Sequence, residues 1–424
     1  MTSSRASIGF GEFVTLTAVL MAIQAIAIDA MLPALPAISQ EMLTPGDNRV
    51  QWVVTAYVLG MGAGQLIWGS LSDRFGRRPV LICGLTVYGI AALACALTRN
   101  FEMLLVARLV NGLAAACSVV VRSVIRDMYS GRSMARVMSL TFIVFMVIPI
   151  LAPTLGQGIL MLWPWRAIFV LFCVFSTVAM IWAMYRLPET LPVERRQTLS
   201  PRHLVAAAGI ALGNRISLGY TLGVAVSFGS VLAYVAMAPQ IFGSVFGHLS
   251  WLPAMFAVSA VAMSLASYLN SRLVEQLGMR FISHSALIAS IAIALLHFLV
   301  VFEGYERLWT FVLFQALAMG GFGLMTSNFG AMAMEPVGAV AGAGASLQGF
   351  VTTSGAAIVG AAIGKAFDNS TLPYTIGVLS CGVACLVFVL VAEHGQLFKP
   401  HSGPPLVRSA AQSTGPPGRA QRLR

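Results

Sequence analysis

The sequence predicts an all-α membrane protein, with twelve transmembrane helices in two pseudo-symmetric six-helix bundles around a central cavity. Three observations carry that expectation. Apolar residues make up 58% of the chain and charged residues only 10%, against about 25% charged in ordinary soluble domains, so lipid must be the solvent for most of the surface. Apolar runs of bilayer-crossing length, about 20 residues, recur twelve times along the chain. Arginine and lysine then alternate between dense and sparse in successive connections, as the positive-inside rule requires.

The runs place spans at 13–37, 50–70, 80–98, 101–124, 134–160 and 164–187, then at 214–241, 250–270, 281–302, 307–332, 339–365 and 373–393. Most connections are short. The stretch 188–213 is longer and polar, with Glu189, Glu194, Arg195, Arg196, Arg202 and His203. It reads as a cytoplasmic linker between a first half, 1–187, and a second half, 214–393. The tail 394–424 is basic and rich in Pro, Gly and Ser, a composition expected to stay disordered. With the amino terminus inside, 19 of the 26 Lys and Arg residues fall on the inner side. Five, Arg49, Arg99, Arg166, Arg307 and Lys365, fall outside, and Arg108 and Arg122 lie within span 4. Both termini are therefore expected in the cytoplasm, with the chain multi-pass in a bacterial inner membrane.

Composition also removes function classes. A net charge of +11 raises nucleic acid, but the basic residues occupy loops between apolar runs and form no folded basic face. Cys83, Cys95, Cys117, Cys173, Cys381 and Cys385 lie inside apolar stretches and form neither a disulfide framework nor a zinc pattern. Gly360–Lys365 is one residue short of a phosphate loop and lacks its hydroxyl. His297 stands alone in span 9 and reads as a packing residue. The 15 acidic residues are scattered, whereas a membrane enzyme needs them clustered. No metal and no cofactor are expected.

The most specific motif joins spans 2 and 3: Gly69-Ser70-Leu71-Ser72-Asp73-Arg74-Phe75-Gly76-Arg77-Arg78-Pro79. Gly69 lets a helix end pack closely, Gly76 permits a tight turn, and Asp73 is an acceptor placed to cap another helix. Arg74, Arg77 and Arg78 hold the loop at head groups. A degenerate copy, Asn270 to Arg280, joins spans 8 and 9, as parallel six-span repeats require. The loop resembles the signature loop of the major facilitator superfamily. Asp29 to Pro36, Arg108 to Gly112, Arg122 to Asp127, Pro149 to Gly156 and Trp165 to Phe169 are together similar to the twelve-span drug:H+ antiporters, most closely the Bcr/CflA branch named for bicyclomycin and chloramphenicol resistance.

Two charges inside spans invite a chemical reading. Asp29 and Arg108 each lie about seven residues, roughly 10 Å, below the outer surface, so a meeting is feasible. Charge at membrane depth normally serves function. Asp29 then acts as the proton and substrate switch and Arg108 tunes it; the competing readings are a permanent ion pair, or an Asp29 exposed at the outer interface and serving only as a turn residue beside Pro33. The resemblance supports both positions, although some relatives carry a second acid in span 1 where this chain has Met21.

The resemblance further implies that Asp127 pairs with Arg77 to lock the outward-facing state. It also implies that Asp73 meets the Gly338–Gly344 start of span 11, and that both contacts break during alternation. The span 5 segment with Pro149, Pro153 and Gly156 bends or packs closely. Candidate substrate contacts are Tyr57, Asn111, Phe228, Tyr234 and Gln348, with Gln65, Gln315 and Asn328 beside them, because aromatic and amide groups orient a ligand in an apolar cavity. The expected function is proton-coupled multidrug efflux of small amphipathic compounds by a monomer driven by the proton gradient. The alternative is export of a natural metabolite such as an amino acid, nucleoside or sugar.

Overall fold

A computed structural model describes residues 8–44, 49–129, 131–196, 209 and 212–398. All regular structure among them is helical, the outcome forced on a chain in lipid, where each backbone N–H and C=O must find its partner within the segment. Eleven helices are long and apolar enough to cross a bilayer. Gly131–Leu162, at 32 residues, supplies another in the fifth position.

In order, spans 1 to 6 are Phe10–Met42, Arg49–Phe75, Arg77–Leu97, Phe101–Met128, Gly131–Leu162 and Arg166–Arg186. Spans 7 to 12 are Arg215–Val245, Leu249–Leu277, Met279–Phe302, Leu308–Val337, Ala341–Lys365 and Leu372–Ala392. The face of the molecule bearing Phe10, Gly76, Gly278 and Ala392 is the near face below, and the opposite one is the far face. Large apolar side chains such as Ile90, Leu97, Val178, Leu296 and Val391 stay exposed on the outer helices, a lipid-facing surface.

Span 1 runs further than its hydropathy suggests. Its first helix stops at Asp29, a 3-10 turn follows at Leu32–Ala34, and a second helix covers Leu35–Met42. Pro33 and Pro36 lack the N–H that an unbroken helix needs. Asp29 is therefore closer to the middle of its span than the apolar run implied. Span 5, by contrast, stays one helix through Pro149 and Pro153. The side chain of Pro149, with those of Arg132, Arg195 and Gly338 to Ala343, lies outside the described residues, as do Arg5, Arg202, His203 and everything after Phe398.

Within the first six spans, span 2 packs on span 4 and span 3 on span 6; in the second six, span 7 packs on spans 11 and 12 and span 8 on span 10. Between the groups, span 2 lies on span 11, span 5 on span 8, and the Leu32–Ala34 turn on span 7. One continuous apolar core joins the first group to the far-face residues of the second, including Tyr234, Phe242, Phe256 and Phe311. The near-face interior of the second group, with Tyr220, Phe329, Met332 and Val389, is a separate core. The groups thus share one core toward the far face, and spans 2 and 11 stay in contact from Gln51 and Gly364 to Gly69 and Ser346.

Candidate transport site

Arg108 is the largest fully buried side chain among the described residues. Its Nε donates to the Val53 carbonyl at 3.2 Å, one terminal nitrogen to Asn111 Oδ1 at 3.2 Å, and the other to the Ala27 carbonyl at 3.1 Å. The guanidinium also lies 4.3 Å from the centre of the Tyr57 ring, a cation–π contact. Close helix approach makes this possible. A Cβ at Gly112 would overlap the Tyr57 carbonyl, and one at Gly60 the Leu109 carbonyl, so spans 2 and 4 meet backbone to backbone.

Asp29, 8% exposed, is two residues from the carbonyl that Arg108 holds, yet it makes no hydrogen bond or ion pair among the described residues. The competing permanent ion pair is absent among the described residues: Arg108 braces the backbone of span 1 beside Asp29 and leaves the carboxyl group unpaired. The reason is geometric. The first helix of span 1 ends at Asp29, so the carbonyls of its last turn need donors, and a buried arginine offers five. Gly156 of span 5 seats against Ala30, where a Cβ would overlap the Ala30 carbonyl. Pro153 is buried one turn earlier.

Three candidate ligand contacts are packing residues instead. Tyr57 is fully buried and donates to the Gln24 carbonyl at 3.1 Å. Asn111 is committed to Arg108 and to the Tyr88 carbonyl at 3.1 Å. Tyr234 sits in an aromatic cluster with Phe256, Phe311 and Tyr374. The polar atom of each is satisfied internally, Tyr234 by Ser259 Oγ at 3.4 Å, because burial demands it. Phe228 remains half-buried, stacked on Phe322 with ring centres 6.0 Å apart. Gln348 is half-buried and donates to the Gly330 carbonyl at 3.4 Å. Gln65 reaches across from span 2 to Thr353 of span 11 at 2.9 Å. Asn328 bonds Asn270 at 2.7 Å, and Gln315 accepts from Tyr374.

At the far face Gln51 Nε2 donates to Gln240 Oε1 at 2.5 Å, joining span 2 to span 7. Gly364 of span 11 packs so closely that a Cβ there would overlap the Gln51 amide. His297 is not alone. Its Nε2 lies 2.7 Å from Glu306 Oε1 and its ring stacks on Phe314 at 4.6 Å. Glu306 comes from the loop beyond span 9, out of range of any helical spacing argument.

The near face carries the signature loop, and its geometry is repeated. Gly76 ends span 2 at φ +100°, ψ 157°, and Gly278 ends span 8 at φ +80°, ψ 154°, a region that favours glycine. After the first turn, the buried Arg77 bonds Ser72 Oγ at 2.7 Å, Asp73 Oδ1 at 2.6 Å and Asp127 Oδ2 at 3.1 Å. Asp73 therefore serves Arg77, and the expected contact with the start of span 11 falls on 338–343, outside the described residues. The cap on span 3 is Glu189, whose Oε1 accepts from the Arg77 N–H at 2.9 Å and whose Oε2 accepts from the Arg78 N–H at 3.3 Å. Sequence reading had left Glu189 in a linker; its only signal is an acid just after Pro188. Gly69 lies against Ser346 of span 11. Arg74 stacks on Phe75. The Arg77–Asp127 pair stands in the same structure as the Gln51–Gln240 bond at the far face.

After the second turn, Arg280 Nε bonds Glu393 Oε1 at 2.8 Å, and its Nη2 lies 3.7 Å from Glu335. The parallel is close: an arginine after a left-handed glycine meets an acid ending span 4 or 10 and another just past span 6 or 12. Tyr220 also donates to Glu393 at 2.6 Å. Burial raises the pKa of Glu393, but hydrogen bonds from Tyr220 and Arg280, with the Arg280 charge, outweigh it and hold this carboxyl below its ordinary range. Among the described residues no group of three or more His, Cys, Asp or Glu could hold a metal ion.

Apolar helices of bilayer-crossing length, twelve with Gly131–Leu162, define a polytopic membrane protein. Residues 17–361 match the Major Facilitator Superfamily, and the chain belongs to that family. It is 31% identical to the MFS-type transporter YdgK of Bacillus subtilis (strain 168), over 80% of this chain and 84% of that one. It is 27% identical to the bicyclomycin resistance protein homolog of Haemophilus influenzae, over 90% and 95%. Among solved structures, the xylose transporter XylE from E. coli superposes with a TM-score of 0.68 at 12% identity, covering 91% of this chain and 97% of that one.

Proposed function

We propose that the protein is a proton-coupled exporter of small amphipathic compounds, working by alternating access between two six-helix halves, 1–187 and 214–393. The observation that carries this reading is Asp29. It is a buried carboxyl group without a counter-ion, at a helix break, in a chain related to a bicyclomycin resistance homolog. An unpaired acid in a low-dielectric site takes up a proton at far lower cost than it bears a charge. Arg108 acts as a positioning residue that holds the break beside it. The near face is then cytoplasmic and the far face periplasmic, in the inner membrane, in keeping with the arginine-rich loops. A periplasmic proton reaching Asp29 displaces the compound outward, and its release inside resets the site. No cofactor takes part, and one copy suffices.

The test is a drug-susceptibility panel at two external pH values in an efflux-deficient host, with wild type beside Asp29→Asn. The neutral variant should be inserted in the membrane at wild-type level and confer no resistance at either pH. Resistance equal to wild type, with the same pH dependence, would refute the role of Asp29.

A further inference from the structure

We infer that the groove between spans 11 and 12 holds an acyl chain of a phospholipid from the far leaflet, and that its rim selects a head group with a primary ammonium beside its phosphate. The inference rests on the membrane-spanning fold alone and goes beyond the exporter reading.

Spans 11 and 12 both pack on span 7 but scarcely on each other. They cross closely at Gly377, where a Cβ would overlap the Ile363 side chain. Elsewhere the facing residues are small. Ala362 and Ala366 form one wall, Ser380 and Ala384 the other, and Val226 of span 7 lies behind them. Small side chains on two parted helices leave a groove of about 620 Å³, a volume typical of small-ligand sites.

The groove opens sideways into the bilayer. Ala362, Ala366, Ile376 and Ser380 are exposed along it, and Ile358 and Val383, one turn further along the same helices, are exposed as well. Apart from Ser380, the Cys381 thiol and Asp368 at the rim, the lining is apolar, so it offers water too few partners to be held there. From Leu372 at the far end of span 12 to Ala384 is twelve residues, roughly 18 Å along the helix. One leaflet of the hydrocarbon core is roughly 15 Å deep. The groove thus has the length and direction of one extended acyl chain. A chain lying in it meets protein on three sides, and the summed dispersion contacts exceed those on a convex helix face.

The rim supplies the choice of head group. Asp368 lines it, in the loop just beyond span 11. Its Oδ1 accepts from the Ser370 N–H at 3.0 Å and from the Ser370 hydroxyl at 2.6 Å, while Oδ2 has no partner among the described residues. Lys365, the last residue of span 11, is exposed and unpaired among the described residues. An acceptor and a cation three residues apart, not joined to each other, complement a head group that carries both an ammonium and a phosphate. A choline head has the charge but no N–H to donate. A glycerol head has no cation to offer Asp368.

The test uses three photoactivatable lipids with the same diazirine-bearing acyl chain and different heads: phosphatidylethanolamine, phosphatidylcholine and phosphatidylglycerol. Each is added in trace to phosphatidylcholine vesicles holding the purified full chain, and adducts formed on illumination are mapped by peptide mass spectrometry. On 359–384 the ethanolamine probe should label at least about fivefold more than the other two, the margin of one exposed ion pair. On 170–181 of span 6, an ordinary lipid-facing stretch with Val170, Val174 and Val178 exposed, the three should label alike. Asp368→Asn should remove the ethanolamine preference at 359–384. Ala362→Phe combined with Ser380→Phe should fill the groove and abolish that labelling, while unchanged labelling of span 6 shows that the variant is folded and inserted. Labelling of 359–384 that ignores the head group would overturn the assignment and leave only boundary lipid there. Displacement of the ethanolamine probe by dodecyltrimethylammonium, but not by unlabelled phosphatidylethanolamine, would also overturn it and give the groove to a free cationic amphiphile. No step involves a proton gradient, so failure here is distinct from failure of the Asp29 test.

Discussion

The guanidinium of Arg108 reaches the carbonyl of Ala27 at 3.1 Å and passes by the carboxyl group of Asp29, two residues further on. A buried cation here stabilises a helix break instead of neutralising an acid. Removing it leaves the carbonyl of Ala27, at the helix break, without a donor in a dry interior, and takes a second donor from the Val53 carbonyl. Arg108→Ala should therefore lower stability by about 3 kcal/mol, the scale of a lost buried, hydrogen-bonded charge. Arg108→Lys should rescue little, because one ammonium cannot span Val53, Ala27 and Asn111. Thermal unfolding in detergent measures both. An unshifted melting temperature in Arg108→Ala would show that the bracing is dispensable.

The Gln51–Gln240 bond closes the far face between spans 2 and 7. Alternating access needs that contact to open in each cycle. With both residues replaced by cysteine, a short bifunctional thiol reagent should arrest transport by more than about tenfold, and reduction of a cleavable version should restore it. Transport that continues at full rate in cross-linked protein would mean that this contact is not a gate.

At the near face, Glu393 is held ionised by Tyr220 and Arg280. Its folded-state pKa lies below the ordinary value of 4.5. The stabilisation it gives is thus complete above that value and is lost as pH falls through the depressed pKa. The melting-temperature gap between wild type and Glu393→Gln should be largest near neutrality and should narrow as pH drops below about 4.5. A gap independent of pH would assign the effect to packing alone.

Fold class and span number were legible because lipid imposes one rule on every span, and local composition suffices to apply it. The glycines at 76 and 278 were legible for a similar reason, since each conformation is a property of its own turn. Span 1 was read too short because its second helix, Leu35–Met42, is less apolar than its first. The near-face knots were half-visible: their arginines stand in the motif, but Glu189 and Glu393 arrive from more than 100 residues away.

The site divides along the same line. Sequence alone established that Asp29, Arg108 and Arg122 are charges inside spans, and that such charges need a reason. Only the tertiary structure decided which reason applies to each. Arg108 is consumed by backbone carbonyls at a helix break, Asp29 is buried without a partner, and Arg122 is exposed, off the buried face of its helix. Hydropathy reports the depth of a residue along its own helix. Whether a charge at that depth meets a carbonyl, apolar packing or a cavity depends on how neighbouring helices are rotated and how closely they approach, and that is set by contacts between distant parts of the chain.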